Sequence, residues 1–176
     1  MTFTQSVAHV MRNYVTFSGR ASRSEYWYFV LFAFLGAFLL GLVDRAVFGT
    51  TLVETGPGTA RLEANGPLAG IFSLLTLIPM IAAGWRRMHD TGRSGLYLIY
   101  PLIVMAGIFG FMTFMVGIGP MMAGDYASIV AGASTVVMFV AAITLMISPL
   151  LVLWWLARPS QPGPNAYGPN PHEVIQ

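Results

Sequence analysis

The chain has 176 residues, of which 56% are hydrophobic and only 9% are charged. With a mean hydropathy of +0.68 it has more apolar surface than a soluble domain of this length buries, so the composition excludes a soluble globular protein and predicts an integral membrane protein. The absence of cysteine excludes disulfides, thiolate nucleophiles and Cys-ligated metals, and the small net charge of +2 gives no reason to predict nucleic-acid binding.

The first predicted element is a short amphipathic helix over residues 1–17. Its apolar residues recur at helical spacing, and its polar residues fall on the opposite face. This pattern predicts an interfacial helix on the membrane surface, and the alternative is a helix that packs on the ends of the other helices. The apolar positions are Phe3, Val7, Val10, Met11 and Tyr14.

Four uncharged apolar runs follow, and each is long enough to span a bilayer. Even the shortest would cover roughly 27 Å as a helix, close to the ~30 Å hydrocarbon core. Because unpaired backbone groups are costly in lipid, the predicted fold class is an all-α integral membrane protein, a four-transmembrane-helix bundle over residues 18–158. A Pro/Gly/Asn-rich tail, 159–176, follows it. The predicted spans are about 26–43, 68–85, 96–118 and 130–157.

The arginines are distributed unequally between the two ends of these runs. One end has seven, and the other has only Arg45 and Arg61. Because cytoplasmic segments of membrane proteins carry the excess of positive charge, this asymmetry predicts that both termini are cytoplasmic. The connection at 44–67 is then an exterior loop whose structure the pattern leaves open. The seven arginines are Arg12, Arg20, Arg23, Arg86, Arg87, Arg93 and Arg158.

A helix-start signal precedes the first span. Ser22 and Glu25 have the spacing of a capping box, in which Ser22 caps the helix and the Glu25 side chain reaches back to it. Glu25 also lies on the same side of the membrane as Arg86 and Arg87. A further hypothesis is therefore that Glu25 pairs with one of these arginines across the helix interface.

The segment GWRRMHDTGRSGL links the second and third spans on the cytoplasmic side. Arg86 and Arg87 end the second helix, where its dipole favours cations, and His89 suits the same position. Asp90 follows these arginines by four and three residues, which predicts an ion pair within the helix, worth only tenths of a kcal/mol where such a pair is exposed. Gly92 predicts a left-handed stop of that helix, because glycine adopts this conformation without strain.

The same link also suits an anion site. Ser94 predicts the cap of the third helix, and clustered guanidinium groups beside helix starts with free N–H groups suit a phospholipid headgroup or another phosphate. The candidate residues for binding an anion, a lipid or a partner are Arg20, Arg23, Arg86, Arg87, His89, Arg93 and Ser94.

Two reactive interpretations of the link fail on its context. Residues Gly92 to Gly95 match the G-x-S-G pattern of rhomboid-type intramembrane serine proteases, but no histidine lies within a span to act as the base. His89, Asp90 and Glu25 lack the spacing of metal ligands. The sequence therefore predicts no catalytic residues, no metal and no cofactor.

Three segments together resemble one bacterial family. They read FSGRASRSEYWYFVLF, RRMHDTGRSGL and, after the last span, NAYGPNP. In this order they resemble domain-of-unknown-function family 805, the YhaH/YhaI-like inner-membrane proteins. The resemblance implies a small multi-pass protein of the bacterial inner (cytoplasmic) membrane with no established activity.

All three segments fall on the predicted cytoplasmic side. They are therefore expected to form either a shared site or a shared folding nucleus. The residues expected to have structural roles in them are Ser22, Glu25, Trp27, Asp90, Gly92, Gly95, Asn165, Tyr167, Gly168 and Pro171.

Three functional hypotheses follow. The first is a non-enzymatic membrane protein whose basic cytoplasmic rim binds anionic phospholipid or a partner. The second is a small-solute transporter or channel formed by a homo-oligomer, disfavoured because no ionisable residue lies at bilayer depth. The third is a lipid-headgroup enzyme, disfavoured because Glu25, His89 and Asp90 have no defined catalytic partner. The small residues Ala106 and Gly110 have a spacing that suits close packing of helices.

Overall fold

The computed structural model describes residues 1–56, 59–132 and 135–173. Four helices are long and apolar enough to cross a membrane, and only 11–28% of their most apolar windows is buried inside the chain. This confirms the predicted four-helix membrane bundle. The four helices are Arg23–Phe48, Leu68–Asp90, Gly95–Val116 and Val136–Ala157. The residues outside the described ones are 57–58 in the predicted exterior loop, 133–134 in the predicted fourth span and 174–176 in the predicted tail.

The first helix, α1 (Phe3–Arg12), packs against the second, α2 (Arg23–Phe48). It buries Val10 completely, whereas Phe3 is 40% exposed and Met11 is 42% exposed. The buried part matches the alternative interpretation, in which this helix packs on the ends of the others. Placement of its exposed apolar face on the membrane surface stays a prediction.

Capping decides where α2 begins. Ser22 Oγ accepts a hydrogen bond from Glu25 N at 3.2 Å, as the capping-box spacing predicted. The returning half of the predicted box does not form, because the Glu25 carboxylate accepts from Arg86 instead. Gly49, with φ at +74°, follows the last residue of α2. The helix therefore extends beyond the predicted span at both ends.

The predicted exterior loop contains a β-hairpin. Strand β1 (Thr50–Gly56) pairs antiparallel with β2 (Thr59–Ala64), and Leu52 pairs with Leu62 in this register. Both leucines are exposed. The described residues thus add one small two-stranded sheet, in the loop whose structure the sequence left open, to the helical bundle. Because an isolated hairpin is only marginally stable, composition alone does not predict whether such a segment forms one.

Helix α3 (Leu68–Asp90) packs along α2. The Phe72 ring of α3 packs directly on Gly36 of α2, and a Cβ at that position would overlap the ring. Helix α3 extends five residues past the predicted span end at 85. Those added residues include Arg86, Arg87 and Asp90, so these charged side chains of the link are held on a helix, whereas Arg93 follows it.

A residue of α2 caps the start of α3. Asp44 accepts hydrogen bonds from Leu68 N at 3.1 Å and from Ala69 N at 2.8 Å. The residue that precedes α3 is Pro67, which makes no side-chain cap. Asp44 is 1% exposed, so its charge is offset by these N–H groups and by the positive end of the α3 dipole.

The third span begins as a 3₁₀ helix (Gly95–Ile99) and continues as α4 (Tyr100–Val116). Two short helices, α5 (Ile118–Met122) and α6 (Tyr126–Gly132), lead to α7 (Thr135–Ala157), which packs against α4. The predicted fourth span therefore starts in α6 and continues in α7.

The main hydrophobic cluster lies where α1, α2, α3 and α7 meet. It holds these helices in fixed positions at the end of the bundle that carries most of the arginines. Its buried members are Val10, Tyr26, Phe29, Ala83, Met88, Val152 and Leu156.

Candidate functional site

The start of α2, the end of α3 and the segment after α7 meet at one end of the bundle, which we call the arginine-rich end. Ala21 N donates to Arg86 O at 3.1 Å, and Gln161 N donates to Asp90 O at 2.9 Å. The first of these backbone hydrogen bonds joins the first motif segment to the second. The other joins the second segment to the chain just before the third, and Asn165 Nδ2 of the third segment donates to His89 O. The structure thus brings together the three segments that the sequence singled out.

One ion pair connects α2 with α3 at this end. Arg86 Nη2 donates to Glu25 Oε1 at 2.9 Å, and the two side chains are 4% and 3% exposed. The hypothesis that Glu25 pairs with Arg86 or Arg87 is confirmed, with Arg86 as the partner. His9 Nε2 lies 3.8 Å from the same carboxylate oxygen. Because both charges of the pair are buried, each depends on the other for compensation.

A second cluster is built around Asp90. Its carboxylate accepts from Arg87 Nη1 within α3, and from Arg20 Nε at 3.0 Å. The three side chains are at most 1% exposed. The predicted ion pair within the helix is therefore present, with Arg87 as the partner of Asp90, and it is buried. Arg20 and the segment after α7 cover this end of α3.

Arg87 also binds the carboxyl end of α7. Its Nε donates to Leu156 O at 2.9 Å, and its Nη2 donates to Arg158 O. These carbonyls have no further helical turn to bond with, so a guanidinium completes them and complements the negative end of the helix dipole. Arg87 therefore fixes α7 to α3.

Arg20 binds the segment after α7 through three backbone carbonyls. Its Nη1 donates to Gly163 O at 2.7 Å and to Gly168 O at 3.3 Å, and its Nη2 donates to Gln161 O at 2.6 Å. With Asp90 on Nε, all three guanidinium nitrogens have protein acceptors. The planar, five-donor group of arginine suits this arrangement.

The tail also contacts the end of α3. Asn165 Nδ2 donates to His89 O at 3.0 Å, and Asn165 and Gly168 exchange two backbone hydrogen bonds. The His89 ring stacks on Tyr167 with 3.9 Å between centroids, and its Nδ1 donates to Gly19 O at 3.0 Å. His89 is thus held by both neighbouring motif segments.

The glycines and Ser94 of the link have the predicted structural roles. Gly92 has φ at +75°, the left-handed stop expected after the helix. A Cβ at Gly95 would overlap the Trp85 ring. Ser94 Oγ accepts from Leu96 N at 3.3 Å, so it caps the 3₁₀ helix at the start of the third span.

The family model described as "Protein of unknown function (DUF805)" matches residues 14–169, which include the first two motif segments and the first five residues of the third. The chain belongs to the DUF805 family. Inner membrane protein YhaH of Escherichia coli (strain K12) is 38% identical over 98 residues, which are 56% of this chain and 73% of YhaH. Inner membrane protein YhaI of the same strain is 35% identical over 99 residues, which are 56% of this chain and 71% of YhaI. No solved structure matches the chain.

This DUF805 chain is therefore a multi-span membrane protein of a family without an assigned activity. Most of the motif residues build the arginine-rich end from within. Three of them, Trp27, Gly92 and Pro171, are exposed, although Trp27 also packs edge-on against Tyr26 with 5.3 Å between ring centroids.

The predicted anion-binding residues of this DUF805 chain divide into two groups. Arg20, Arg86 and Arg87 donate to protein acceptors, and His89 and Ser94 are held in the same way. Within the described residues, no carboxylate lies at ion-pair distance from the four remaining arginines of this end. These four are Arg23 and Arg93, which are predicted candidates, and Arg12 and Arg158, which are not.

Two of these arginines line one polar cleft. The cleft has a volume of about 370 Å³, and Ser160 Oγ beside it is buried without a hydrogen-bond partner among the described residues. Burial, and next the positive charge of Arg158, lower the pKa of Arg93 from its ordinary value. The lining residues are Thr91, Arg93, Arg158, Pro159, Ser160, Gln161 and Pro162.

Sequence reasoning missed this cleft. It treated Arg158 only as a topological charge and did not single out Ser160. The available signal was position: Arg158 directly follows the last apolar run, and Arg93 lies between two other span ends. Which residues around such positions share a cleft depends on how α3 and α7 pack, and no local pattern encodes that.

Proposed function

We propose that this chain is a non-enzymatic protein of the bacterial inner membrane whose arginine-rich end lies in the cytoplasm and binds anionic phospholipid. The observation that supports this most is the set of four arginines at one end of the bundle that have no carboxylate partner among the described residues. Cytoplasmic leaflets carry anionic lipids, and each arginine near such a surface contributes about 1 kcal/mol of attraction. Seven of the nine basic residues lie at this end, in keeping with a cytoplasmic position.

Aromatic side chains support placement of this end at the membrane interface. Trp27 is 37% exposed and Trp154 is 55% exposed, and both lie near span ends at the arginine-rich end. Tryptophan is enriched at the headgroup level because its ring is amphipathic. The exposed Phe3 and Met11 of α1 suit the same boundary.

A non-enzymatic role is supported by how the acidic and imidazole groups at this end are used. Glu25 and Asp90 are bound by arginines, and His89 is held by Gly19 and Tyr167. A general acid or base needs a free position for substrate, which these contacts occupy. Homo-oligomer formation stays a prediction; Ala106 and Gly110 are exposed on α4.

The test is thermal unfolding of the purified protein in detergent micelles that contain phosphatidylglycerol or phosphatidylcholine. A ligand that binds only the folded state raises the unfolding temperature, so we expect a larger rise with phosphatidylglycerol. The difference between the lipids should shrink as salt increases, because salt screens exposed charges. The difference between the two lipids should disappear when Gln replaces Arg12, Arg23, Arg93 and Arg158.

The matched control is Arg45→Gln with Arg61→Gln, which removes charge from the opposite end. This double variant should keep the parent's preference for phosphatidylglycerol. Equal responses of the parent protein to the two lipids would contradict the proposed function.

A further inference from the structure

We propose that the cleft between Arg93, Arg158 and Ser160 is a specific binding site for the phosphate of an anionic phospholipid. This rests on the proposed function and deepens it, because it assigns the binding to one site instead of to diffuse charge. Arg12 and Arg23, the other unpaired arginines, are absent from the lining of this cleft.

The first argument is charge. Two guanidinium groups line the cleft, and its described lining includes no carboxylate. Guanidinium groups bind phosphate oxygens through paired N–H donors, so an anion between Arg93 and Arg158 would relieve their mutual repulsion. Elsewhere at this end, Arg20, Arg86 and Arg87 already have carboxylate partners.

The second argument is an unsatisfied polar atom. Ser160 Oγ is buried, yet it has no hydrogen-bond partner among the described residues. Buried hydroxyl groups in folded proteins nearly always have a hydrogen-bond partner, because a buried hydroxyl without one loses its bonds to water and gains nothing in return. A phosphate oxygen in the cleft would accept from this hydroxyl.

The third argument is that both arginines are held in place by tryptophans. The Arg93 Cζ lies 5.2 Å from the centroid of Trp155, and the Arg158 Cζ lies 4.9 Å from that of Trp154. Stacking on an aromatic face restricts a flexible guanidinium before the ligand arrives, which lowers the entropic cost of binding. One Arg93 N–H also donates to Thr91 O at 3.1 Å.

The fourth argument is depth, and it favours a lipid over a free phosphate. The fourth span ends at Ala157, one residue before Arg158, and Arg93 lies between the spans that end at Asp90 and begin at Gly95. Both guanidinium groups therefore lie where the hydrocarbon core meets the headgroups, the level of lipid phosphates.

The experiment is native mass spectrometry of the full chain released from detergent with added phosphatidylglycerol, to give the affinity of the most tightly bound lipid. The test variant is Arg93→Gln with Arg158→Gln, and the matched control is Arg12→Gln with Arg23→Gln. Both remove two charges from the same end. We expect at least about tenfold weaker binding in the test variant than in the control, because charge-assisted hydrogen bonds exceed diffuse attraction by more than the 1.4 kcal/mol that corresponds to tenfold.

Two gentler substitutions keep the proposal testable if the double variant is unstable. Ser160→Ala removes a hydroxyl that has no protein partner, so it should leave folding unchanged and weaken the tight lipid severalfold. Arg93→Lys with Arg158→Lys keeps the charge but not the planar forks, and it should fall between the parent and the Gln variant.

Inorganic phosphate and glycerol 3-phosphate serve as competitors in the same assay. Failure of both to displace phosphatidylglycerol supports a lipid site, and displacement by inorganic phosphate at comparable concentration overturns it. If the test and control variants lose binding equally, the specific cleft is wrong while the proposed function stands. If neither variant loses binding, both the specific cleft and the proposed function are wrong.

Discussion

Three buried arginines share two carboxylates at the arginine-rich end. Arg86 pairs with Glu25, while Arg87 and Arg20 both bind Asp90. A buried ion pair gives little net stability over an apolar replacement, but loss of one partner leaves a buried charge and costs about 3–5 kcal/mol. These residues therefore matter most when one is changed alone.

Glu25→Gln should accordingly lower the free energy of unfolding by about 3 kcal/mol, because Arg86 would lose its counter-ion in a buried position. The double variant, Glu25→Gln with Arg86→Gln, should lose less free energy of unfolding than the sum of the losses in the two single variants. The measurement is thermal or denaturant unfolding in one detergent.

The matched control for this cycle is Glu63→Gln in the hairpin. Glu63 pairs with Arg61, and these side chains are 40% and 69% exposed. Removal of such an exposed pair should change stability by less than about 1 kcal/mol. Strict additivity of the Glu25 and Arg86 changes would show that their pairing contributes nothing.

The sequence revealed the charged partners at this scale but not the carbonyl acceptors. Glu25 and Arg86 stand at helix ends on one side of the membrane, so their pairing followed from topology. Arg20 instead donates to the carbonyls of Gln161, Gly163 and Gly168. Every residue has a carbonyl, so nothing in a sequence identifies which carbonyls an arginine will bind.

At the level of elements, the start of α3 depends on another helix. Asp44 in α2 binds the first N–H groups of α3, whose own preceding residue, Pro67, offers no side-chain cap. The cap therefore also fixes the position of α3 along α2. No local capping motif predicts this cap, because its donor and acceptor are more than twenty residues apart in the sequence.

Asp44→Ala should lower the free energy of unfolding by about 0.5–2 kcal/mol, the usual effect of losing a helix cap. Asp44→Asn keeps an acceptor oxygen but loses the charge that complements the helix dipole, so its effect should be smaller. Asp125→Ala is the control, because exposed Asp125 accepts from Ser128 N within the short helix α6 and holds no second element. If Asp44→Ala were no more destabilising than Asp125→Ala, the cap would not connect the two helices.

The spans were predictable and the hairpin was not, for one physical reason. A span is set by the thickness of the hydrocarbon core, so a long uncharged run suffices to identify it. The pairing of β1 and β2 depends on weak cross-strand contacts between exposed residues such as Leu52 and Leu62.

For the whole molecule, an even number of spans places both described chain ends on one side. α1 and the segment after α7 both lie at the arginine-rich end, where Gln161 binds Asp90. The hairpin lies at the opposite end of the first two spans. The distribution of arginine predicts how this arrangement is oriented in the membrane.

A reporter fused to either terminus should therefore be active in the cytoplasm, and one inserted after Gly56 in the hairpin should be active outside. The expectation follows from the excess of arginine at one end. A cysteine introduced at Thr51, labelled with a membrane-impermeant maleimide in intact cells, gives an independent measurement. If a cysteine introduced at Ser18 were labelled and one at Thr51 were not, the orientation would be the opposite of the predicted one. The cytoplasmic assignment of the lipid site would then be refuted.

The hydrogen bond between Arg20 and Gly163 spans 143 residues of chain. At typical rates of synthesis, roughly 10 s separate the appearance of these two residues. During that interval all four spans are made while the guanidinium of Arg20 still lacks its carbonyl acceptors. The contacts between Arg20 and the segment after α7 therefore form only after all four spans have been made, and a chain that stopped before residue 159 would contain every span yet lack these contacts.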